Sequence, residues 1–339
     1  MKDIIVRNYE TDKEEILSDL DKNSFTRKIS KNESYELSFS VTLTKRNQQA
    51  FELVSHESSI FYDGQEFIIK QMSVNATGQS ITKDVTAPHI YSTMQDGRQY
   101  NTVTGKRSVK QLLDHIFKAG KRGFSYEIVD LDKKFVTVEQ ENFGDDNYLK
   151  LVQEIVEDYD ADMLVDNKHL IFYPAGDYGS KIEEPIRYKY NTDDVKFDID
   201  TLNLKTQIKG FGKKDDEDEY MFTPITYTSP ESDKWGIRIQ DPVEDDRYTV
   251  PGNMKKRLEK DLHDYPDISG TVSLKFQSDI HIFDWVPFIY EPLGVNTYIQ
   301  VVGITDYPML PNKPPEITLS NTKKTMTSIL VDLIKKGVV

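Results

Sequence analysis

Apolar and polar residues alternate strictly from Tyr35 to Leu43, a period of two that predicts a half-buried β-strand. Further along, the apolar segment Ile60 to Tyr62 runs into Asp63-Gly64, and these two residues predict a β-hairpin because both tolerate positive φ. The same region holds a predicted short helix and three more predicted strands, at residues 47–54, 4–8, 67–76 and 80–87. Strands at such short spacing favour a small barrel or sandwich.

From about residue 105, apolar residues instead recur every three or four positions, which predicts two amphipathic helices. The two stripes are Val109, Leu112, Leu113, Ile116 and Phe117, then Tyr148, Leu149, Val152, Ile155, Val156 and Tyr159. Ser108 can cap the first helix, and Gly120 can end it. Two strands are predicted after each helix, at 124–129 and 135–139, then at 163–166 and 169–173. This doubled helix–strand–strand order predicts a small α+β domain, with a linker at 174–185.

Beyond residue 186 the pattern is again that of strands. They are predicted at residues 202–211, 220–228, 271–276, 280–290, 298–305 and 316–320, with a helix from Met254 to Leu262. Their order resembles that of the first region, which leaves two interpretations: a duplicated unit, or the general similarity of any two sets of strands. The predicted organisation is two similar β-barrels at 1–105 and 186–320, an α+β domain at 106–185, and a helix at 321–339. The fold class is thus α+β, mainly β.

Composition narrows the possible functions. The 339 residues include 43 basic and 57 acidic ones, a net charge of −14, which argues against a protein that grips nucleic acid through phosphate contacts. The chain has no cysteine, so disulfides, thiolate zinc sites and cysteine nucleophiles are excluded. No run of about 18 apolar residues is present, and the first residues lack the apolar core of a signal peptide. We therefore expect a protein made in a cytosol, without membrane insertion.

Motifs for catalysis or cofactor binding are missing from the sequence. The six histidines are not spaced as in zinc hydrolases, and no phosphate-binding or nucleophile-elbow motif occurs. Gly210-Phe211-Gly212 lacks the third glycine of a nucleotide loop and is interpreted as a strand end. The acidic run at 215–219 lacks the ligand alternation of a calcium loop and is interpreted as solvated. A pair of glycosidase carboxylates stays open. We expect no metal and no cofactor.

A set of short segments stands out between about residue 205 and 275. They are Ile208-Lys209-Gly210-Phe211-Gly212, Tyr227-Thr228-Ser229-Pro230, Trp235-Gly236-Ile237, the run from Asp241 to Tyr248, Tyr265-Pro266 and Ser269-Gly270-Thr271-Val272. This set resembles the prophage endopeptidase tail family, also called the tail-associated lysin N-terminal region. The order of barrel, insert and second barrel also fits this family along nearly the whole chain.

The resemblance implies a baseplate-hub-like fold and a structural role at the tail tip of a phage of a Gram-positive host. It implies a homotrimer that closes or continues the tail tube and adapts its sixfold symmetry to threefold, so that DNA passes through its channel at genome ejection. The implied partners are the distal tail protein, the tape measure protein, and receptor-binding or lytic tail proteins. Longer members carry a lytic domain after this region, and with Val339 at the end we expect the hub alone. The alternative is a peptidoglycan hydrolase of the tail tip.

Three further expectations follow. The two barrels should be related by about sixty degrees around a trimer axis, the difference between threefold and sixfold symmetry. A channel wall with few Lys and Arg should let DNA slide, although the acidic balance can equally serve solubility. Last, a helical stripe near the end of the chain should form an interface that closes the distal end, or else pack on its own barrel. Its residues are Met326, Ile329, Leu330, Leu333 and Ile334.

Overall fold

The fold is described from a computed structural model, for residues 2–118, 120–215, 217–276, 279–293 and 295–319. It is mainly β, with five α-helices in the described part and four hydrophobic cores. Strands dominate both ends of the described chain, and a helical unit lies between them. This arrangement confirms the predicted α+β, mainly β class.

The first unit packs two sheets around one core, which contains Phe25, Leu37 and Ile60. The sheets are β3–β4–β8–β7 and β2–β1–β5–β6. Isolated bridges at Leu20–Val41 and Phe67–His89 connect them, so the unit is barrel-like, although the continuous ladders of the described strands do not close. Its elements are β1 (Ile5–Arg7), β2 (Glu14–Ile16), β3 (Thr26–Ser30), β4 (Ser34–Thr42), α1 (Gln48–Leu53), β5 (Ser59–Tyr62), β6 (Gln65–Ile68), β7 (Gln71–Thr77) and β8 (Ser80–Pro88).

The middle unit packs two amphipathic helices on a three-stranded sheet. Its elements are a 3₁₀ turn (Ile90–Asp96), β9 (Arg98–Arg107), α2 (Val109–Lys118), β10 (Ser125–Ile128), β11 (Val138–Asn147), α3 (Tyr148–Asp158), β12 (Ala161–Asp166) and β13 (His169–Pro174). Ser108 caps α2 as predicted: its hydroxyl accepts the amide of Gln111 at 3.4 Å, and the Gln111 side chain accepts the amide of Ser108 at 2.9 Å.

The strand predicted at 135–139 begins only at Val138, so its first three residues are not a strand. Asp130 accepts the backbone amides of Lys134 and Phe135 and holds this segment as a loop. Phe135 still packs on the middle core, which explains the apolar signal. Strand β11 begins at Val138 and pairs antiparallel with β9, a strand that the sequence pattern did not indicate, while β10 pairs in parallel with β13.

The third unit returns to sheet structure and carries an inserted lobe between β15 and β19. The unit consists of β14 (Ile186–Arg187), β15 (Val195–Asp200), β19 (Asp267–Ser273), β20 (Trp285–Tyr290), a 3₁₀ turn (Glu291–Leu293), β21 (Val295–Asp306) and β22 (Glu316–Leu319). The lobe consists of β16 (Gln207–Phe211), β17 (Ile225–Thr228), α4 (Ser232–Trp235), β18 (Val243–Glu244) and α5 (Pro251–Asp261). In the strands predicted at 202–211 and 220–228, only the C-terminal halves are strands in the structure, namely β16 and β17.

The first and third units repeat one strand connectivity. In the first unit the pairs are β3–β4, β4–β8, β8–β7 and β5–β6. In the third they are β15–β19, β19–β22, β22–β21 and β20–β21, with β21 in the place of both β6 and β7. This common connectivity confirms the repeat predicted from the sequence. One pair differs, because β1 runs antiparallel to β5 whereas β14 runs parallel to β20.

A shared backbone detail sets the residue correspondence between the two repeats. Glu57 and Phe283 both have left-handed φ, at 62° and 74°. The amide of Glu57 donates to the carbonyl of Ile69, and the amide of Phe283 donates to that of Val301, at 2.8 and 2.9 Å. Left-handed φ is rare for residues other than glycine, so its presence at the same place marks Ile69 and Val301 as equivalent positions.

Candidate assembly interface

The two repeats are joined edge to edge by strands β21 and β3. They pair antiparallel over four residues, with Gly303 opposite Ser30 and Asp306 opposite Arg27. This joint makes one continuous path of eight strands, in the order β15–β19–β22–β21–β3–β4–β8–β7. The hydrogen-bonded sheet therefore crosses from one repeat to the other without a gap.

A partly buried ion cluster locks this joint. The Arg27 side chain is 22% exposed and donates to Asp306 through Nε at 3.1 Å and Nη2 at 2.5 Å, and to Asp63 through Nη1 at 2.9 Å. Burial alone would lower the pKa of Arg27, but the hydrogen bonds and charge of Asp306 hold it above the usual value. Burial alone would raise the pKa of Asp63, but the contacts of its carboxylate with Lys2 and Arg27 hold that pKa below the ordinary value.

The β3–β4 turn fastens the first repeat to both other units. Lys31 forms an ion pair of 2.6 Å with the fully buried Asp162 on β12 and donates to the Gln300 side chain on β21 at 3.0 Å. The neighbouring Asn32 has left-handed φ. Its side chain donates to the Ala161 carbonyl at 2.9 Å and accepts the Met163 amide at 2.8 Å. The side chains of this turn thus hold the first repeat against the middle unit and against β21.

The inserted lobe docks on the middle unit through charged side chains. Glu141 on β11 accepts from the backbone amide of Val250 at 3.2 Å and from the side-chain amide Nδ2 of Asn253 at 3.1 Å, so it satisfies groups at the start of α5 from another unit. Arg247 pairs with Asp245 at 2.7 Å and with Glu154 on α3 at 3.4 Å. Burial raises the pKa of Glu154, and the charge of Arg247 opposes that rise.

One face of the eight-stranded path is built mainly from small polar residues. Across β4 and β8, Ser40 donates to Asp84 at 2.5 Å and the hydroxyls of Thr42 and Thr82 lie 2.9 Å apart. The alternation of strands places few basic residues on this face. Among the described side chains the basic ones are Lys28 and Lys196, and the acidic ones are Glu36, Asp84, Asp198, Asp200 and Glu316. The face is polar with an acidic excess, a surface that does not attract phosphates.

Both ends of the path are open edges in the described structure. Strand β7 pairs only with β8, and β15 pairs only with β19. Six of the seven residues of β7 are exposed, among them Val74, which is 57% exposed. An unpaired edge is a template for another strand.

His89 and His115 have structural partners in the described part of the chain. His89 is fully buried, its Nε2 lies 2.9 Å from the side-chain oxygen Oε1 of Gln65, and its ring stacks on Tyr35. Burial lowers the pKa of His89 to about 4. His115 contacts the carbonyl of Asn101 at 2.8 Å. Within the described ranges, no group of three His, Asp or Glu residues is placed to hold a metal ion. None of the helices there has the length and apolarity needed to cross a bilayer.

The stripe predicted as an interface, Met326, Ile329, Leu330, Leu333 and Ile334, lies outside the described residues. It stays a prediction. Sequence reasoning missed the interface residues that the fold brings together, namely Arg27, Asp63 and Asp306. Their chain separation leaves no local pattern to find. It also missed β15, for which the alternation of Val195, Phe197 and Ile199 with polar residues carried a signal.

Three solved structures of tail proteins are similar to this chain. The prophage tail protein gp18 from Listeria monocytogenes is 49% identical, with 98% of each chain covered and a TM-score of 0.67. Two others share the fold at low identity. The 43 kDa tail protein of prophage MuSo2 from Shewanella oneidensis is 11% identical, with 94% of this chain and 98% of that chain covered and a TM-score of 0.61. The tail protein from Neisseria meningitidis is 14% identical, with coverage of 94% and 96% and a TM-score of 0.56.

The repeated units, their joint and these similarities define a phage tail protein. Residues 4–89, 96–172 and 180–330 match, in that order, the N-terminal domain of the prophage endopeptidase tail, the prophage endopeptidase tail domain and the prophage endopeptidase tail itself. The chain belongs to the prophage endopeptidase tail family. No curated protein matches it.

Proposed function

We propose that this protein is a structural hub of the phage tail tip, a homotrimer that continues or closes the tail tube and adapts sixfold symmetry to threefold. The observation that supports it best is the edge-to-edge joint of two equivalent units in one chain. Three copies of such a chain present six equivalent units around one axis, which lets a threefold body match a sixfold neighbour.

The polar face of the path suits the wall of a channel for DNA. Its small hydroxyl and amide side chains, with an acidic excess, offer little counterion release to a passing duplex. We propose that this face lines the channel. A gel-shift assay with the purified protein at low salt tests this step, because DNA binding with a clear salt slope would contradict it.

The proposed partners are the distal tail protein on the tube side, the tape measure protein within the channel, and receptor-binding or lytic proteins beyond. The proposed location is the virion tail tip. The stripe that contains Ile329 and Leu333 is proposed to close the distal end. The proposed domain bounds are 1–105, 106–185, 186–320 and 321–339, although β9 at the end of the first interval pairs with β11 of the middle unit.

The proposed role is structural and not enzymatic. The experiment that tests it combines native mass measurement of the purified full chain with imaging of tails from the induced prophage. Three copies of the 39.2 kDa chain at the tail tip are the expected result, and a different copy number there would overturn the proposal. A zymogram on Gram-positive cell walls tests the alternative, since a cleared band at this mass would favour the peptidoglycan hydrolase.

A further inference from the structure

We propose that the inserted lobe, residues 207–262, is a hinged unit that docks on the middle unit through opposite charges. When this attraction is screened, the lobe separates from the middle unit as a folded body and exposes both charged faces to solvent. The motion lies within one chain, so it does not depend on the number of copies at the tail tip.

The lobe has a hydrophobic core of its own. The buried residues of this core are Ile208, Phe222, Met254, Leu258 and Leu262, and all of them belong to the lobe. Among the described residues, the cores of the middle and third units take no member from the lobe. Separation of the lobe from the middle unit therefore leaves every hydrophobic core intact, and the hydrophobic effect does not oppose it strongly.

Two short segments connect the lobe to the third unit. Residues 201–206 lead from β15 into the lobe, and residues 263–266 lead from the lobe to β19; neither segment contains a helix or a strand. The amide of Lys205 donates to the carbonyl of His263 at 2.8 Å, so the two segments lie side by side. Hinge motions are absorbed by a few residues at the ends of elements, and these paired segments are such a place.

The lobe contacts the middle unit through ion pairs of one direction. Lys260 on α5 pairs with the carboxylates of Asp158 and Glu157 at the end of α3, the second at 3.7 Å. Arg247 pairs with Glu154 of the same helix at 3.4 Å. In these pairs the lobe supplies the cations and the middle unit supplies the carboxylates.

A cavity of about 240 Å³ lies between the two faces. Its charged lining includes Glu139, Glu154 and Glu157 of the middle unit, and Lys256, Arg257 and Lys260 of the lobe. A polar interface of this kind, unlike a large hydrophobic one, allows the joined units to move relative to each other. The attraction between the faces should weaken with salt, because the Debye length falls from about 10 Å at 0.1 M to about 3 Å at 1 M.

The absence of cysteine from the sequence allows the motion to be measured with two spin labels. K110C/D233C places one label on α2 of the middle unit and the other on α4 of the lobe, both at exposed positions. D233C/E259C places both labels on exposed positions of the lobe and reports whether the lobe stays folded. The distances are measured on the full chain by double electron–electron resonance.

Two charge reversals on α5 form a matched pair. Lys260→Glu places a negative charge against Asp158 and Glu157, so it should release the lobe. Lys255→Glu is the control, because it makes the same change on the same helix at a residue that pairs with Glu259 of α5 itself.

The expected result for K110C/D233C is one distance at about 0.1 M salt and an additional, longer distance at about 1 M. Lys260→Glu should show the longer distance already at about 0.1 M, and Lys255→Glu should not. The distance in D233C/E259C should stay the same throughout. An unchanged K110C/D233C distance both at high salt and in Lys260→Glu would overturn the hinged lobe. Equal effects of the two charge reversals would overturn it too, and so would a changed distance within the lobe, because the lobe would then be unfolding.

Discussion

Neutralising Asp306 should weaken the joint between the repeats. The Asp306→Asn substitution keeps the shape of the side chain but removes the charge that Arg27 contacts through Nε and Nη2. A hydrogen bond to a charged group is worth about 1.5–3 kcal/mol, and breaking a fully buried ion pair costs about 3–5 kcal/mol. Because the two side chains are 22% and 26% exposed and Asp63 still pairs with Arg27, we expect a loss of about 2 kcal/mol.

Hydrogen exchange measured by mass spectrometry is the suitable assay, because a chain of several units need not unfold in one step. A loss of about 2 kcal/mol corresponds to a roughly 30-fold fall in protection. The fall should be confined to peptides that contain β3 and β21.

Glu14→Gln is a matched control. Arg7 and Glu14 are also directly opposite each other on an antiparallel pair, but their side chains are 41% and 46% exposed. An exposed pair contributes about 0–1 kcal/mol, so protection of β1 and β2 should change less than a few-fold. Unchanged protection of β3 and β21 in Asp306→Asn, or equal losses in the two variants, would refute the reasoning.

Four further outcomes are expected. Burial holds the folded-state pKa of His89 at about 4 against an ordinary 6.5, so only the unfolded chain takes up the proton between these pH values. The free energy of unfolding should therefore fall by about 3 kcal/mol as the pH drops through this window. Urea titrations of His89→Gln should lose this pH dependence. Glu141→Ala should cost about 1–2 kcal/mol at the start of α5, measured as faster exchange there with α3 unchanged. The double substitution Ile329→Asp and Leu333→Asp should disturb trimer formation or tail assembly. An unchanged, folded trimer by mass measurement, together with normal tail assembly, would contradict this role of the stripe. Thr86→Lys should add DNA binding with a salt slope, and gel shifts equal to those of the parent chain would count against the channel face.

Local periodicity predicted the elements whose faces differ strongly in burial. Strand β4 alternates because Leu37, Phe39 and Val41 face the core. Helices α2 and α3 show the three-to-four spacing because each lays one stripe on the middle core. The order of such elements also suggested the repeat, but the sequence pattern left the general similarity of any two sets of strands as an alternative, and the strand pairing decides between them.

The periodicity of the sequence could not predict which strands pair over long distances in the chain. Phe135 has the side chain of a strand residue, but the carboxylate of Asp130 binds its amide and stops a ladder from forming. Strand β9 has mostly exposed residues and therefore no apolar period. The joint between Arg27 and Asp306 depends on which edges meet in space, and no local pattern encodes that.

The joint between β21 and β3 can form only late in synthesis, because its two strands lie far apart in the chain. Strand β3 ends at Ser30 and its partner begins at Val295, so at about 5–20 residues per second a ribosome needs roughly 15–55 s to make the second strand after the first. During that interval the edge of β3 has no partner from its own chain. Arg27 and Lys28 on so short a strand are a protection against wrong pairing, since charges on an edge discourage other strands. Arg27, which later locks the joint, thus also protects the edge of β3 in the nascent chain.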